Sequence, residues 1–382
     1  MTPRTPEKLW EPSAEMVERA RMTEYMRWLA AERDLRFASY EELWRWSVED
    51  LEAFWSSIWD FFGVQADGEP ERALGKRAMP GAEWFPGTRL NYAEHVFAGK
   101  ADGETAILHA SELRELDELS WGELRAQVAA LAAGLRELGV ERGDRVVAYL
   151  PNIPEAIVAF LATASIGAIW SSCSPDFGPA SVIDRFAQIE PKVLFAVDGY
   201  RYGGKDFDRR ETLAQLQAAM PSLERTVLLP YLDPDPDLAP LSGATRWPEL
   251  LAAGEGAALN FERVPFDHPL WVLYSSGTTG LPKAIVQSQG GILLEHLKKL
   301  NLHVDAHPGG RLFWFTTTGW MMWNFLVSGL LTRAAIVLYD GNPGHPDMGV
   351  LWDLADRAGI TCFGTSASYI AACMKEGVEP GR

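Results

Sequence analysis

From Thr105 onward, short apolar runs alternate with helix-length segments, and this alternation narrows the fold more than any other feature of the chain. The runs at 145–150, 168–172, 193–197 and 226–229 are too short for helices and too apolar for loops. Later runs at 271–274, 284–287, 311–316, 334–339 and 360–363 repeat the pattern. Between them lie segments with helical periodicity. Ser120 is set to cap one, with Glu123 in the capping-box position, and Leu124, Val128, Leu131, Leu135 and Leu138 follow at helical spacing until Gly139 stops it. Further helices are expected near 153–166, 290–301, 320–331, 347–358 and 366–375. Strands separated by helices need crossover connections, so the expected class is α/β with mainly parallel sheets.

Residues 1–95 read differently. They are helical and aromatic-rich, with capping-box spacing at Ser39-Tyr-Glu-Glu42 and again at Ser47-Val-Glu-Asp50. Trp44, Trp46, Trp55 and Trp59 cluster there and are expected to pack rather than to stack on a ligand. The expected organisation is a helical segment over 1–95, one βαβ-rich subdomain over 96–265 and a second over 266–382. The stretch 231–240, with Asp-Pro-Asp-Pro-Asp, reads as an exposed loop.

The 382 residues carry a formal net charge of −17. An acidic surface repels phosphate backbones and anionic lipid, which argues against nucleic-acid or membrane-surface partners. An anionic ligand must then be held by local donors. The most apolar stretch, 156–172, is shorter than the roughly 20 residues of a membrane helix and reads as a buried helix running into a strand. Met1 to Trp10 has no apolar core and does not read as a secretion signal. Cys173, Cys362 and Cys373 form no CxxC pair, and read as reduced, buried, structural thiols of a cytoplasmic protein. Seven histidines include no HExxH, and no metal-ligand cluster is visible. Gly364-Thr-Ser-Ala-Ser368 lacks the last glycine of a hydrolase elbow.

The chemistry is expected at Tyr274-Ser-Ser-Gly-Thr-Thr-Gly-Leu-Pro-Lys283. Glycines let backbone N–H groups approach a ligand closely, hydroxyls add donors, and Lys283 adds a mobile positive charge. That combination suits a polyphosphate, although the order is not GxxxxGK[ST]. The competing reading is a plain Ser/Thr/Gly surface loop. The segment resembles, position for position, the phosphate loop of the adenylate-forming superfamily, which includes acyl-CoA synthetases, peptide-synthetase adenylation domains and luciferases. Trp84-Phe-Pro-Gly-Thr-Arg-Leu-Asn91, Leu119-Ser-Trp-Gly-Glu-Leu124 and Gly143-Asp-Arg-Val-Val-Ala-Tyr-Leu-Pro-Asn152 look like stretches of its short-chain acyl-CoA synthetase branch. Ala168-Ile-Trp-Ser-Ser-Cys-Ser-Pro-Asp-Phe177 looks like the acetoacetyl form of that branch.

The resemblance implies the large N-terminal domain of adenylate-forming enzymes, and a ligase that joins acetoacetate to coenzyme A through an acyl-adenylate, with ATP, Mg2+ and coenzyme A. Acetate, propionate or a hydroxyacid is the near alternative, and a non-catalytic fragment that keeps only phosphate binding is the distant one. Ser275, Ser276, Gly277, Thr278, Thr279, Gly280 and Lys283 are the implied nucleotide contacts. Trp320 is implied at the floor of the acyl pocket, with Met321, Met322 and Asn324 beside it and Asn324 placed to donate to a 3-oxo group. Plain core packing is the other reading of that segment. Arg201 and Lys205, flanking a glycine pair, resemble a basic turn that meets the nucleotide of coenzyme A, with a solvated turn as the alternative. The adenine-stacking motif, the ribose-binding aspartate, the hinge and the C-terminal domain with its catalytic lysine are expected beyond Arg382.

Overall fold

The computed structural model describes residues 8–275 and 280–381. The α/β expectation holds: two parallel-rich sheets lie behind a helical N-terminal segment. The seven-stranded sheet runs Ala244–Arg246, Arg225–Leu229, Val193–Val197, Arg145–Tyr149, Ile169–Cys173, Pro269–Ser275, Lys283–Ser288. Every neighbouring pair is parallel except the last, which is an antiparallel hairpin. The five-stranded sheet runs Cys362–Gly364, Arg311–Trp314, Ala335–Asp340, Thr105–Ser111, Asp117–Ser120, and again only its last pair is antiparallel.

Sheet membership crosses the position near 265 where the sequence suggested a boundary. Thr105–Ser111 pairs with Ala335–Asp340 in the five-stranded sheet, while the strands at 269–275 and 283–288 complete the seven-stranded one. Periodicity shows where strands are, but it does not show which strand each one pairs with.

The N-terminal helices are Ala14–Arg19, Arg21–Glu32, Tyr40–Glu49 and Leu51–Phe61. Trp59 stacks on Phe85 at 4.5 Å between ring centres, and Trp46 and Trp55 meet Phe54 and Trp84 edge-on. Trp44 is exposed, so three of the four clustered tryptophans pack. Ser39 caps Tyr40–Glu49 by accepting from the Glu42 amide, but Ser47 caps nothing. It lies inside that helix, its hydroxyl donates to the Trp44 carbonyl, and Asp50 caps the next helix by accepting from the Ala53 amide. A carboxylate is as good an acceptor there as a hydroxyl, so the spacing alone did not separate the two.

Ser120 and Glu123 form the expected reciprocal box at the start of Trp121–Glu137. Ser120→Ala is expected to cost about 1 kcal/mol, read as a lower denaturant midpoint at constant slope. Pro154–Ser165, with only Glu155 not buried, forms the centre of the core. Its Phe160 touches Trp170 of the seven-stranded sheet, Tyr92, and Trp323 of the helix Met321–Val327. The apolar stretch therefore folds as a buried helix and strand, and among the described residues no helix is long and apolar enough to cross a membrane. The cysteines are unpaired; Cys173 and Cys373 are buried as expected, but Cys362, on the edge strand Cys362–Gly364, is only partly buried, and burial pushes the Cys173 thiol up to about 12.

Candidate active site

Strand direction decides where a site can lie. In the seven-stranded sheet, Arg145–Tyr149 is flanked by Ile169–Cys173 on one side and Val193–Val197 on the other, so successive connections leave it in opposite directions. A parallel sheet opens a crevice at the carboxyl ends of its strands at such a reversal. Here a cavity of about 230 Å³ occupies that position, shared with the carboxyl ends of the five-stranded sheet. Asn152 and Asp176 line it from the first sheet, Thr316, Thr317 and Asp340 from the second.

The two sheet ends are stitched together by short side chains. Ser172 donates to the Thr318 carbonyl at 2.7 Å, and Thr318 donates to the Leu150 carbonyl at 2.6 Å. The Tyr149 hydroxyl lies 2.7 Å from the carbonyls of Pro175 and Phe177. Asn152 accepts from the Trp323 indole at 3.1 Å, and its own Nδ2 is buried without a partner. These bonds fix the loops around the crevice.

Asp340 ends the strand Ala335–Asp340 and keeps some exposure toward the crevice. Tyr231 donates to its Oδ2 at 2.8 Å. Burial pushes the Asp340 carboxyl up to about 7, against the bond from Tyr231 and the charge of Arg114, with Glu112 and Asp176 adding repulsion. Tyr231 is itself buried, although the sequence placed it at the start of an exposed loop. The Asp198 carboxylate explains this, because it gathers the amides of Tyr231, Leu232 and Asp233 at 2.7–3.0 Å and draws the loop inward.

Of the sequence-predicted nucleotide residues, Ser276, Gly277, Thr278 and Thr279 lie outside the described residues. Ser275 and Lys283 pair across the hairpin at the carboxyl edge of the seven-stranded sheet, the same edge as the crevice. Both are exposed, as is Gly280. Trp320 and Met321 are 65% and 51% exposed, so neither joins the core. Met322 packs against the core. Asn324 is 1% exposed, and neither atom of its side-chain amide has a partner. Trp323 stacks on Trp170 and is plain core.

Arg201 and Lys205 sit on the hairpin Gly199–Tyr202 and Lys205–Asp208, whose two-residue turn places Gly203 and Gly204 at φ +62° and +73°. Both glycines are needed there, because other residues rarely adopt positive φ. Arg201 forms a bidentate pair with Asp206 at 2.6 and 3.1 Å and faces a cleft of about 390 Å³ that also holds Arg114, His345 and Arg357. Lys205 is exposed.

The sequence reading missed Asp340, Asp176 and Asn152. A usable signal was present: each follows an expected parallel strand by one to a few residues, the position where α/β sheets present ligand contacts. Among the described residues no three His, Cys, Asp or Glu side chains converge on a metal position.

Comparison with known proteins fits this geometry. Residues 95–381 match the model of the AMP-binding enzyme family, and residues 40–96 match the acetyl-coenzyme A synthetase N-terminus. An acetoacetyl-coenzyme A synthetase of Rhizobium meliloti is 45% identical over 98% of this chain and 57% of its own length. A malonamoyl-CoA synthetase of Penicillium aethiopicum is 37% identical over 87% of this chain and 49% of its own length. The solved acetoacetyl-CoA synthetase of Streptomyces lividans superposes with a TM-score of 0.94 at 55% identity, covering 99% of this chain and 58% of that one. The chain thus spans about 57% of the length of the first of these relatives. With the family model matched from 95 to 381 and the sheet-end crevice in place, the chain belongs to the AMP-binding enzyme family.

Proposed function

We propose that this chain serves an ATP-dependent ligase that joins acetoacetate to coenzyme A in the cytoplasm. In the first half-reaction a carboxylate oxygen of acetoacetate attacks the α-phosphorus of ATP. The bond to the bridging oxygen breaks, and pyrophosphate leaves with the electron pair. In the second, the thiolate of coenzyme A attacks the acyl carbonyl and AMP departs. Chemistry of this kind depends on positioning and on neutralising charge at phosphate.

The observation that carries the reading is the Gly/Ser/Thr motif of the sequence, whose flanking Ser275 and Lys283 pair at the carboxyl edge of the seven-stranded sheet, the edge on which the crevice lies. Lys283 there is suited to the charge of the β- and γ-phosphates. Mg2+ belongs to the proposal only as a companion of ATP, since it is commonly held largely by phosphate oxygens and water, and the described side chains offer it no cage.

The choice of acid rests on two supports. The names of the relatives, acetoacetyl and malonamoyl, share a second carbonyl two bonds from the activated one. Asn324, buried with an unsatisfied amide one helical turn from Trp320, supplies a donor for such a carbonyl. Acid-dependent pyrophosphate exchange across acetoacetate, acetate, propionate and 3-hydroxybutyrate tests the assignment. Equal rates with acetate and acetoacetate would remove the 3-oxo group from recognition. Trp320→Gly is expected to admit longer acids, with the largest gain for the first one or two added methylenes. An unchanged acid profile places the limiting wall elsewhere.

A further inference from the structure

Glu112 is the first residue after the strand Thr105–Ser111, and its backbone amide donates to the Asp340 carbonyl at 3.1 Å. Its side chain leaves this sheet and crosses the cleft. Oε1 accepts from the amides of Gly203 and Asn342, each at 2.8 Å, and Oε2 accepts from the amide of Gly204 at 2.7 Å. One carboxylate thus joins the hairpin tip attached to the seven-stranded sheet with the loop that follows Ala335–Asp340 in the other. Burial would raise its pKa, but the three amides and the charge of His345 hold it below the usual carboxylate range.

The Gly203 and Gly204 amides are taken up by this bond pattern, so the turn itself offers no anion site. Any anion held by the hairpin must be held by its side chains, and their place is set by the turn. The turn has little freedom to move. A Cβ on Gly204 would stand 3.0 Å from the His345 ring.

We propose that Glu112 is a positioning residue, whose carboxylate pins the Gly203 and Gly204 turn so that Arg201 and Lys205 are held where the hairpin takes the phosphates of coenzyme A. This rests on the reading of the hairpin as a coenzyme A contact. It also makes a prediction of unusual sign. Removing a negative charge from a cleft ordinarily strengthens anion binding. Glu112→Gln is expected to weaken it, because the glutamine amide sets a donor against the Gly204 amide and releases the turn.

The test measures binding of coenzyme A, and separately of ATP, to a chain carrying the full length of the relatives by calorimetry, for the unaltered protein, Glu112→Gln and Arg201→Glu. Hydrogen exchange at Gly203 and Gly204 and the melting temperature are followed alongside. The proposal predicts at least tenfold weaker coenzyme A binding in Glu112→Gln, faster exchange at both glycines, and unchanged ATP binding and melting. Weaker binding in Arg201→Glu with none in Glu112→Gln overturns the role of Glu112 alone. Tighter binding in Glu112→Gln also overturns it, since the charge then acts through space. No effect of either substitution, or no coenzyme A binding by the unaltered chain, overturns the hairpin reading beneath it. Parallel loss of ATP binding or of melting temperature in Glu112→Gln reduces Glu112 to a structural tie. Should Glu112→Gln fail to fold, Glu112→Asp, which keeps the charge but is one methylene too short to reach both segments, carries the same predictions.

Discussion

Lys283→Ala is expected to slow acetoacetate-dependent pyrophosphate exchange by about two to three orders of magnitude, the usual cost of losing one group aimed at developing charge. The measurement belongs in a chain carrying the full length of the relatives. Lys283 heads the strand Lys283–Ser288, paired with Ser275, so backbone hydrogen bonds set its Cα at the carboxyl edge while the side chain stays free to reach outward. Negative charge on the leaving pyrophosphate grows as the bond to the α-phosphorus breaks. A lysine there stabilises the transition state more than the bound substrates, so the rate falls while the affinity for acetoacetate stays nearly constant. Lys283→Arg keeps the charge but changes its shape, and should recover only part of the rate. An exchange rate unchanged in Lys283→Ala would take the hairpin out of the mechanism.

The second large effect is on stability. Asp340→Asn is expected to stabilise the protein at pH 8 and to change little at pH 4. Asp340 has a folded pKa of about 7 because it is buried. Unfolded, an aspartate titrates near 3.9. Between these values the folded state binds more protons than the unfolded state, so stability falls as pH rises through the window. The full linkage over that span is about 4 kcal/mol, and water in the crevice reduces it to roughly 2 kcal/mol. Asparagine has no charge to bury and still accepts from Tyr231. Denaturant midpoints at pH 5, 6, 7 and 8 should diverge progressively between the two proteins. A constant difference across that range would mean that Asp340 does not titrate there.

What the sequence made legible was local. The box at Ser120 and Glu123, the stop at Gly139 and the buried run 156–172 depend on residues within a few turns of one another, and each stands as expected. Ser47 shows the limit of even local reading, since Asp50 three residues on was the better acceptor. The candidate site was legible only as a loop. Asp340 looked like the end of a strand, and its burial comes from Tyr231, more than a hundred positions earlier and itself drawn in by Asp198. Trp320 looked like a wall, but its exposure depends on what surrounds the helix Met321–Val327. Glu112 carried no motif at all. Its three partners come from two distant segments, and no spacing rule links them.

The crossing of strands between the sheets also sets the order in which a growing chain can fold. Ile107 faces Ile336, 229 positions later, and Trp170 faces Trp271. A strand made early on the ribosome waits, its backbone groups unsatisfied, until its parallel partner has been synthesised. At translation speeds of about 5–20 residues per second, the wait for Ile107 is some ten seconds or longer. Over this interval Thr105–Ser111 has only the hairpin partner Asp117–Ser120 to cover one edge. The other edge, carrying Ile107 and Leu108, is open to chaperones and to neighbouring nascent chains.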